Sequence, residues 1–319
     1  MSRTRAALSG DFVFRPPRLT DAAAIAALAR DYTLGVVGFA DYTENDVRDD
    51  LTAPGFEPAH DARLVFDSAG TPVAYATAIA RADSDLVEID VLATGSAVRH
   101  WLFGWSLDRA RELGRARGHR QVTVDHGVYR ADDGLRAQAV AHGLAVATTF
   151  HRMRIDHGGP ADPPTPPAGV SLRQGTDPAV REAAHGVLNT AFTEHFGNVP
   201  KPFGTWQETL ERKSTFDWTQ LWLAELAGRP AGVLECNDQF VADEGCGYVA
   251  SVGVLPPARG RGIAKFLLRH AFAIDAAVGR TGTLLHVDSN NTTPALGVYE
   301  SVGMRPVLVI DVWRRTLET

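Results

Sequence analysis

Residues 248–277 read YVASVGVLPPARGRGIAKFLLRHAFAIDAA, and the order of their parts decides the fold. Tyr248 to Leu255 is rich in Val and alternates well enough to predict a strand. Pro256 and Pro257 have no N–H for a continuing ladder, so the strand stops there. Beyond them Ile263, Phe266, Leu267, Ala271, Ile274 and Val278 recur every three or four residues, which predicts a helix with one apolar face against a sheet. Between strand and helix lies Arg259-Gly260-Arg261-Gly262-Ile263-Ala264. Small residues at the mouth of a helix let backbone N–H groups close on an anion, and the helix dipole favours that charge. Such a loop suits a phosphate.

The spacing Arg-x-x-Gly-x-Ala at 259, 262 and 264, after a Val-rich strand and a proline, resembles the acyl-CoA signature of the GCN5-related N-acetyltransferase (GNAT) superfamily. Farther on, Asn291, Ala295, Tyr299 and Gly303 fall at intervals similar to the second signature of that family. Either pattern alone arises by chance; the two in order, with helix then strand between them, carry the resemblance.

At 319 residues the chain suits two domains of about 150 residues. Apolar residues at 45% and charged residues at 22% describe an ordinary globular protein, and a net charge of -6 gives no support for a nucleic-acid partner. Two cysteines, Cys236 and Cys246, make neither a disulfide framework nor a zinc set, and a reduced, buried, inert pair is expected. The start of the chain, MSRTRAALSGDFVF, has no apolar run long enough for a signal peptide, and no stretch of 18 apolar residues occurs. A cytoplasmic protein with no membrane partner is the expectation.

Landmarks repeat along the chain. Phe14-Arg15 before a helical run and Leu172-Arg173 before another differ by 158, and the hairpins at Leu64–Tyr75 and Leu221–Gly232 by 157 or 158. Val91-Leu92 with Val254-Leu255, and Val124-Asp125 with Val287-Asp288, differ by 163, so about five residues are inserted near Ala242 to Gly245. The stretch 157–168, HGGPADPPTPPA, is too rich in Pro and Gly for helix or sheet and reads as a stiff, exposed linker. The expected organisation is therefore an N-terminal unit over 1–156, the linker, and a C-terminal unit over 169–319. By resemblance each unit is a GNAT fold, an α/β unit with a mixed, twisted sheet and helices on both faces. The tandem arrangement is similar to that of the mycothiol synthases.

The halves are chemically unequal. At the offset of 163, Arg259, Gly262 and Ala264 match Ser96, Arg99 and Trp101, so a guanidinium and an indole fill the space a diphosphate needs. The second signature also fails there, because Tyr129 to Gly134 lacks the Asn-to-Tyr spacing. The N-terminal half is expected to be a degenerate copy without productive acyl-CoA binding.

For the C-terminal half the resemblance implies acetyl-CoA as co-substrate. Arg259, Gly260, Arg261, Gly262, Ala264 and Lys265 are expected to hold the diphosphate, and the main chain of Val252 and Val254 the pantetheine arm as an added strand. Asn291 matches a position that contacts the arm, with a helix N-cap as the alternative. Tyr299 falls where the family often carries a tyrosine beside the thioester sulfur, a proton donor to the departing thiolate; a packed helix-face tyrosine is the alternative. Glu235, on an otherwise apolar strand, is the first candidate for the base that deprotonates the acceptor amine, unless it points to solvent. Tyr248 stands at the start of the signature strand, where several relatives place a catalytic glutamate. Residues 192–206 with Phe216-Asp217-Trp218 bring aromatic rings with a few polar groups, which suit a small, partly apolar amine, or else anchor the loop. His195 has no partner at metal-ligand spacing, so no metal is expected, and no Gly-x-x-x-x-Gly-Lys or Gly-x-Ser-x-Gly motif occurs.

The sequence thus reads as an N-acetyltransferase that moves the acetyl group of acetyl-CoA directly to a primary amine of a small molecule. A mycothiol-synthase-like acetylation of a cysteinyl-sugar amine, and a CoA-binding sensor without turnover, are the alternatives. Oligomeric state and acceptor identity are not encoded in any motif.

Overall fold

The computed structural model describes residues 12–193, 195–196, 198–290 and 295–319. The chain divides into two compact units, one running to Thr149 and taking in Ile310–Thr319, the other Phe150–Val309.

In the first unit the chain runs through β1 (Val13–Arg15), α1 (Ala22–Val37), α2 (Glu44–Leu51), α3 (Pro58–Asp61) and β2 (Ala62–Phe66). It continues through β3 (Pro72–Ala80), β4 (Leu86–Ala93), α4 (Ser96–Ala116), β5 (Gln121–Tyr129), α5 (Asp133–Ala141) and the start of β6 (Ala145–Asp156). After the end of β6, the second unit holds β7 (Val170–Gln174), α6 (Pro178–Ala191), α7 (Phe203–Glu211), β8 (Leu221–Leu226) and β9 (Arg229–Asn237). Then come α8 (Val241–Glu244), β10 (Cys246–Val254), α9 (Ile263–Ala277), β11 (Gly282–Asp288), α10 (Ala295–Ser301) and β12 (Arg305–Glu318), whose last residues return to the first unit. The short helix α8 overlaps the place where the repeat shifts, near Ala242 to Gly245.

Each unit borrows a strand from the other repeat. The order in the first is β1-β2-β3-β4-β5-β12 and in the second β6-β11-β10-β9-β8-β7, antiparallel throughout except for β4 beside β5 and β10 beside β11. Ile310–Glu318 pairs with Tyr129–Gln121, and the nearly buried Asp125 takes both Arg314 Nε and Nη2 at 2.6 Å. A one-residue slip of β12 would leave that carboxylate unpaired and turn Trp313 and Leu317 out of the core, so the register is strongly set.

The unit boundary therefore does not fall at 157–168. Residues 150–156 already belong to the second sheet, where Phe150–Asp156 pairs with Asp288–Gly282. The Pro/Gly-rich stretch is an exposed strap laid along α9. His157 N donates to Thr281 O at 2.8 Å, its ring meets Thr283 Oγ1 at 2.9 Å, and Pro167 reaches the α9 N-terminus at Gly262.

Helices cover both faces of each sheet, as the period-two alternation of the strands requires. In the second unit Leu234, Val249, Leu285 and Val287 pack with Ile263, Leu267, Leu268 and Ala271 of α9. Val233, Leu221 and Leu223 point the other way, to Val180, Ala184 and Val187 of α6. The face of α9 is rotated from the sequence expectation: Ile274 and Val278 are 37% and 66% exposed, while Asp275 is buried. Asp275 is held by Thr283 Oγ1 and by Arg280 Nη1 at 2.7 Å, so its carboxylate is satisfied inside. Gly247 makes room for it, since a Cβ there would stand 2.1 Å from Asp275 Oδ2.

Candidate functional site

The second sheet splits where the phosphate-type loop begins. β10 and β11 pair in parallel only from Cys246↔Gly282 to Val249↔Leu285, although β10 runs on to Val254 and β11 to Asp288. A register shift between Val249 and Ser251 on the β9 side bends β10 at that point, as an inserted residue does. Val252 and Val254 lie beyond the last β10–β11 pair. Their half-buried side chains pack on the α9-face core, and one main-chain edge is turned to the split.

At the end of β10 a single 3-10 turn, Pro256–Ala258, leads into the glycine loop. Arg259 Nε donates to Val254 O at 3.1 Å and ties the loop back to the strand end. Gly260 and Gly262 have φ of +76° and +79°, the left-handed region that other residues adopt only with strain. Gly262 is the N-cap of α9 and has no side chain to satisfy the first helical N–H groups. Arg259, Gly260, Arg261, Gly262 and Lys265 are exposed and Ala264 half-buried, so bare amides and three cations surround one open turn. That arrangement binds an anion through the main chain.

Glu235 does not face solvent. It pairs with Ser251 across β9 and β10, lies on the α6 face with Val233, and is 7% exposed. Burial raises its pKa, against the opposing pull of Lys213, a hydrogen bond from Trp206 and the charge of Lys201. Tyr299, on α10, borders the α9-face core, and burial pushes its phenol up to about 12, so it keeps its proton at neutral pH. Asn291 lies outside the described residues. Burial raises the pKa of both Cys236 and Cys246, which leaves neither as a ready nucleophile.

The aromatic residues expected at the acceptor side mostly pack on one another. Trp206 and Trp218 stand 5.6 Å apart, Phe216 meets Trp218 edge-on at 5.1 Å, and all three adjoin the α6-face core. Burial lowers the pKa of His195, in a place that also feels Asp288 and Arg259. Among the described residues no three His, Cys, Asp or Glu side chains converge as a metal site requires.

One polar chain escaped the sequence reading. Tyr248 Oη lies 2.9 Å from His286 Nδ1, Arg152 Nε donates to His286 Nε2 at 3.2 Å, and Arg152 Nη1 meets Glu244 at 2.8 Å. Arg152 is 2% exposed and sits over the Phe240 ring. Its position 134 residues before His286 hides it from any reading of spacing; the visible signal was a His alternating with Leu and Val in a strand.

Residues 189–304 match the model of the acetyltransferase (GNAT) family. A mycothiol acetyltransferase of Nocardia farcinica is 31% identical over 213 residues, covering 63% of this chain and 69% of the relative. The chain belongs to the GNAT family. A second such relative, the mycothiol acetyltransferase of Thermobispora bispora, is 34% identical over 185 residues, and the match spans 56% of this chain and 60% of that protein. Among solved structures, a GNAT protein from Sphaerobacter thermophilus superposes with a TM-score of 0.81 at 25% identity, over 99% of this chain and 98% of that one. A tandem GNAT protein from the clavulanic acid biosynthesis pathway shares the fold at a TM-score of 0.70 and 17% identity, over 96% and 98% of the two chains. The two repeats of this chain are thus a tandem GNAT architecture. No helix among its described residues is long and apolar enough to cross a membrane.

Proposed function

We propose that this chain transfers the acetyl group of acetyl-CoA directly to a primary amine of a small molecule, at the second unit alone. The observation that carries the reading is the continuity of the open glycine turn at 259–262 with the split between β10 and β11. The diphosphate lies on the amides of Arg261 to Lys265, and the arm runs back along the main chain of Val252 and Val254. The reacting carbonyl then lies toward the apex of the split at Val249, near Ser251 and its neighbour Glu235.

Glu235 takes the proton of the acceptor amine, whose nitrogen bonds to the thioester carbon. As the C–S bond breaks, the thiolate takes a proton from Tyr299. A buried carboxyl of raised pKa is a stronger base than an exposed one, and a tyrosine that stays protonated is available as acid. The high thiol pKa values favour direct transfer over an acyl-enzyme.

A narrower reading, acetylation of a cysteinyl-sugar amine, is favoured by the similarity to mycothiol acetyltransferases. A sensor that binds CoA without turnover is the reading of another class. Release of free thiol from acetyl-CoA with a panel of amines, run beside Tyr299→Phe, tests the proposal. Amine-dependent release that falls in the variant supports it; binding with no release by any amine supports the sensor.

A further inference from the structure

The chain Glu244, Arg152, His286, Tyr248 has a direction that its chemistry fixes. An arginine Nε–H can only donate, so His286 Nε2 must accept from Arg152 with its lone pair. Burial beside the Arg152 charge drives the His286 pKa down to about 3, so the imidazole is neutral and carries its single proton on Nδ1. Nδ1–H therefore donates to Tyr248 Oη across 2.9 Å. The phenolic proton is left for another acceptor. Among the described residues none takes it: Glu235 draws its hydrogen bond from Trp206. Glu244 and Tyr248, the two ends of the chain, are both half-buried around an Arg152 that is 2% exposed, and the unplaced proton is at the tyrosine end.

That end lies at the apex of the split. Tyr248 is opposite Leu284, one residue before the last β10–β11 pair, and His286 is one residue after it. Tyr248 is also opposite Asn237 on β9, which makes it the diagonal neighbour of Glu235, about 7–8 Å away across the strands. A molecule whose amine meets Glu235 brings atoms a few bonds from that nitrogen to Tyr248.

We propose that Tyr248 determines acceptor specificity: its O–H, oriented by His286 and Arg152, donates to an oxygen that the substrate carries beside its amine. This rests on the acetyl-transfer reading above and adds the chemical class of the acceptor, an amine with a neighbouring carbonyl or hydroxyl.

The experiment compares glycinamide with propylamine at equal free-base concentration, in wild type and Tyr248→Phe. The variant should raise the KM for glycinamide about three- to tenfold, the worth of one neutral hydrogen bond, and leave propylamine and the KM for acetyl-CoA unchanged. An equal change for both amines overturns the inference and leaves acetyl transfer standing. No transfer to either amine by wild type, together with no thiol release by any member of the wider amine panel, overturns acetyl transfer and the inference with it. The imidazole ¹⁵N spectrum of His286, assigned by its loss in His286→Gln, should show the Nδ1–H tautomer; an Nε2–H signal contradicts the relay. A merely structural role for Tyr248 would shift neither the oxygen preference nor the tautomer.

Discussion

The two helices that follow the split strands, α4 and α9, differ by one turn, and that turn separates a closed loop from an open one. At the repeat offset of 163 the start of α9 at Ile263 matches His100, yet α4 begins at Ser96, four residues earlier (96 against 100). Helix has grown through the residues that form the glycine loop in the second unit. Its N-cap, Gly95, has an extended φ of −120° that any residue adopts, in contrast to the left-handed Gly262. Arg99 donates to Ala93 O at 2.8 Å, as Arg259 does to Val254 O in the second unit, but here Trp101 also packs on Phe14 at 4.8 Å. The strands part in this unit as well, pairing only as far as Glu88↔Asp125. Here His126 Nδ1 donates to Ile89 O at 2.9 Å, so a side chain of the protein already uses a β4 carbonyl beyond the last pair. The same fold thus keeps its split but spends its backbone groups internally.

Filling the open loop should have the largest effect. In Gly262→Val the new Cβ meets no protein atom nearer than Pro167 at 4.0 Å, so the packing survives, at a strain of about 1–3 kcal/mol from the positive φ. Acetyl-CoA affinity, read by calorimetry, should fall roughly 100-fold or more, because the side chain occupies the anion position. The first unit, with no such loop, should give no residual binding.

Glu235→Gln should cost about 10²–10⁴-fold in kcat/KM at neutral pH, the usual worth of a general base. In wild type kcat/KM should fall as pH drops through the raised pKa of this carboxyl, and the variant should lose that limb. Stability should move the other way. A carboxyl whose folded pKa is raised binds its proton more tightly when folded, so it destabilises above that pKa, and Glu235→Gln should raise Tm at neutral pH. A lower Tm with an unchanged pH profile would assign Glu235 to structure alone.

Tyr299→Phe should lower kcat by about 10²-fold while leaving acetyl-CoA binding intact, the lower end of the range for a general acid whose leaving group is already a thiolate. A change in binding only would make Tyr299 a packing residue of α10.

The smallest effect on activity is expected at the closed split. His126 is 1% exposed and its pKa is lowered to about 4 by burial, so it is neutral in the fold. Its stabilisation is complete above the unfolded value near 6.5 and is lost as pH falls through about 4, at most about 3 kcal/mol. His126→Gln should flatten the acid unfolding curve in that window without changing kcat.

These contrasts also mark what the sequence makes legible. The glycine loop, the Val-rich strand before it and the inequality of the repeats lie in contiguous residues, where Gly, Pro and Val have local meanings. Strand exchange is not local: β12 carries its pairing instructions in Arg314 and Asp311, whose partners Asp125 and Arg130 stand in the other repeat. The buried face of α9 was misjudged at Ile274 and Val278 because a satisfied Asp275 takes the place an apolar residue would fill. The Arg152 relay needed β6, borrowed from the first repeat, and Glu244, supplied by the insertion, so no single stretch encodes it.

Titration of the full chain with CoA in a calorimeter tests the central claim most directly. One molecule bound per chain, lost in Gly262→Val and kept in Trp101→Ala, is the predicted result. Two molecules per chain, or binding that survives at Gly262→Val and is lost at Trp101→Ala, would contradict it.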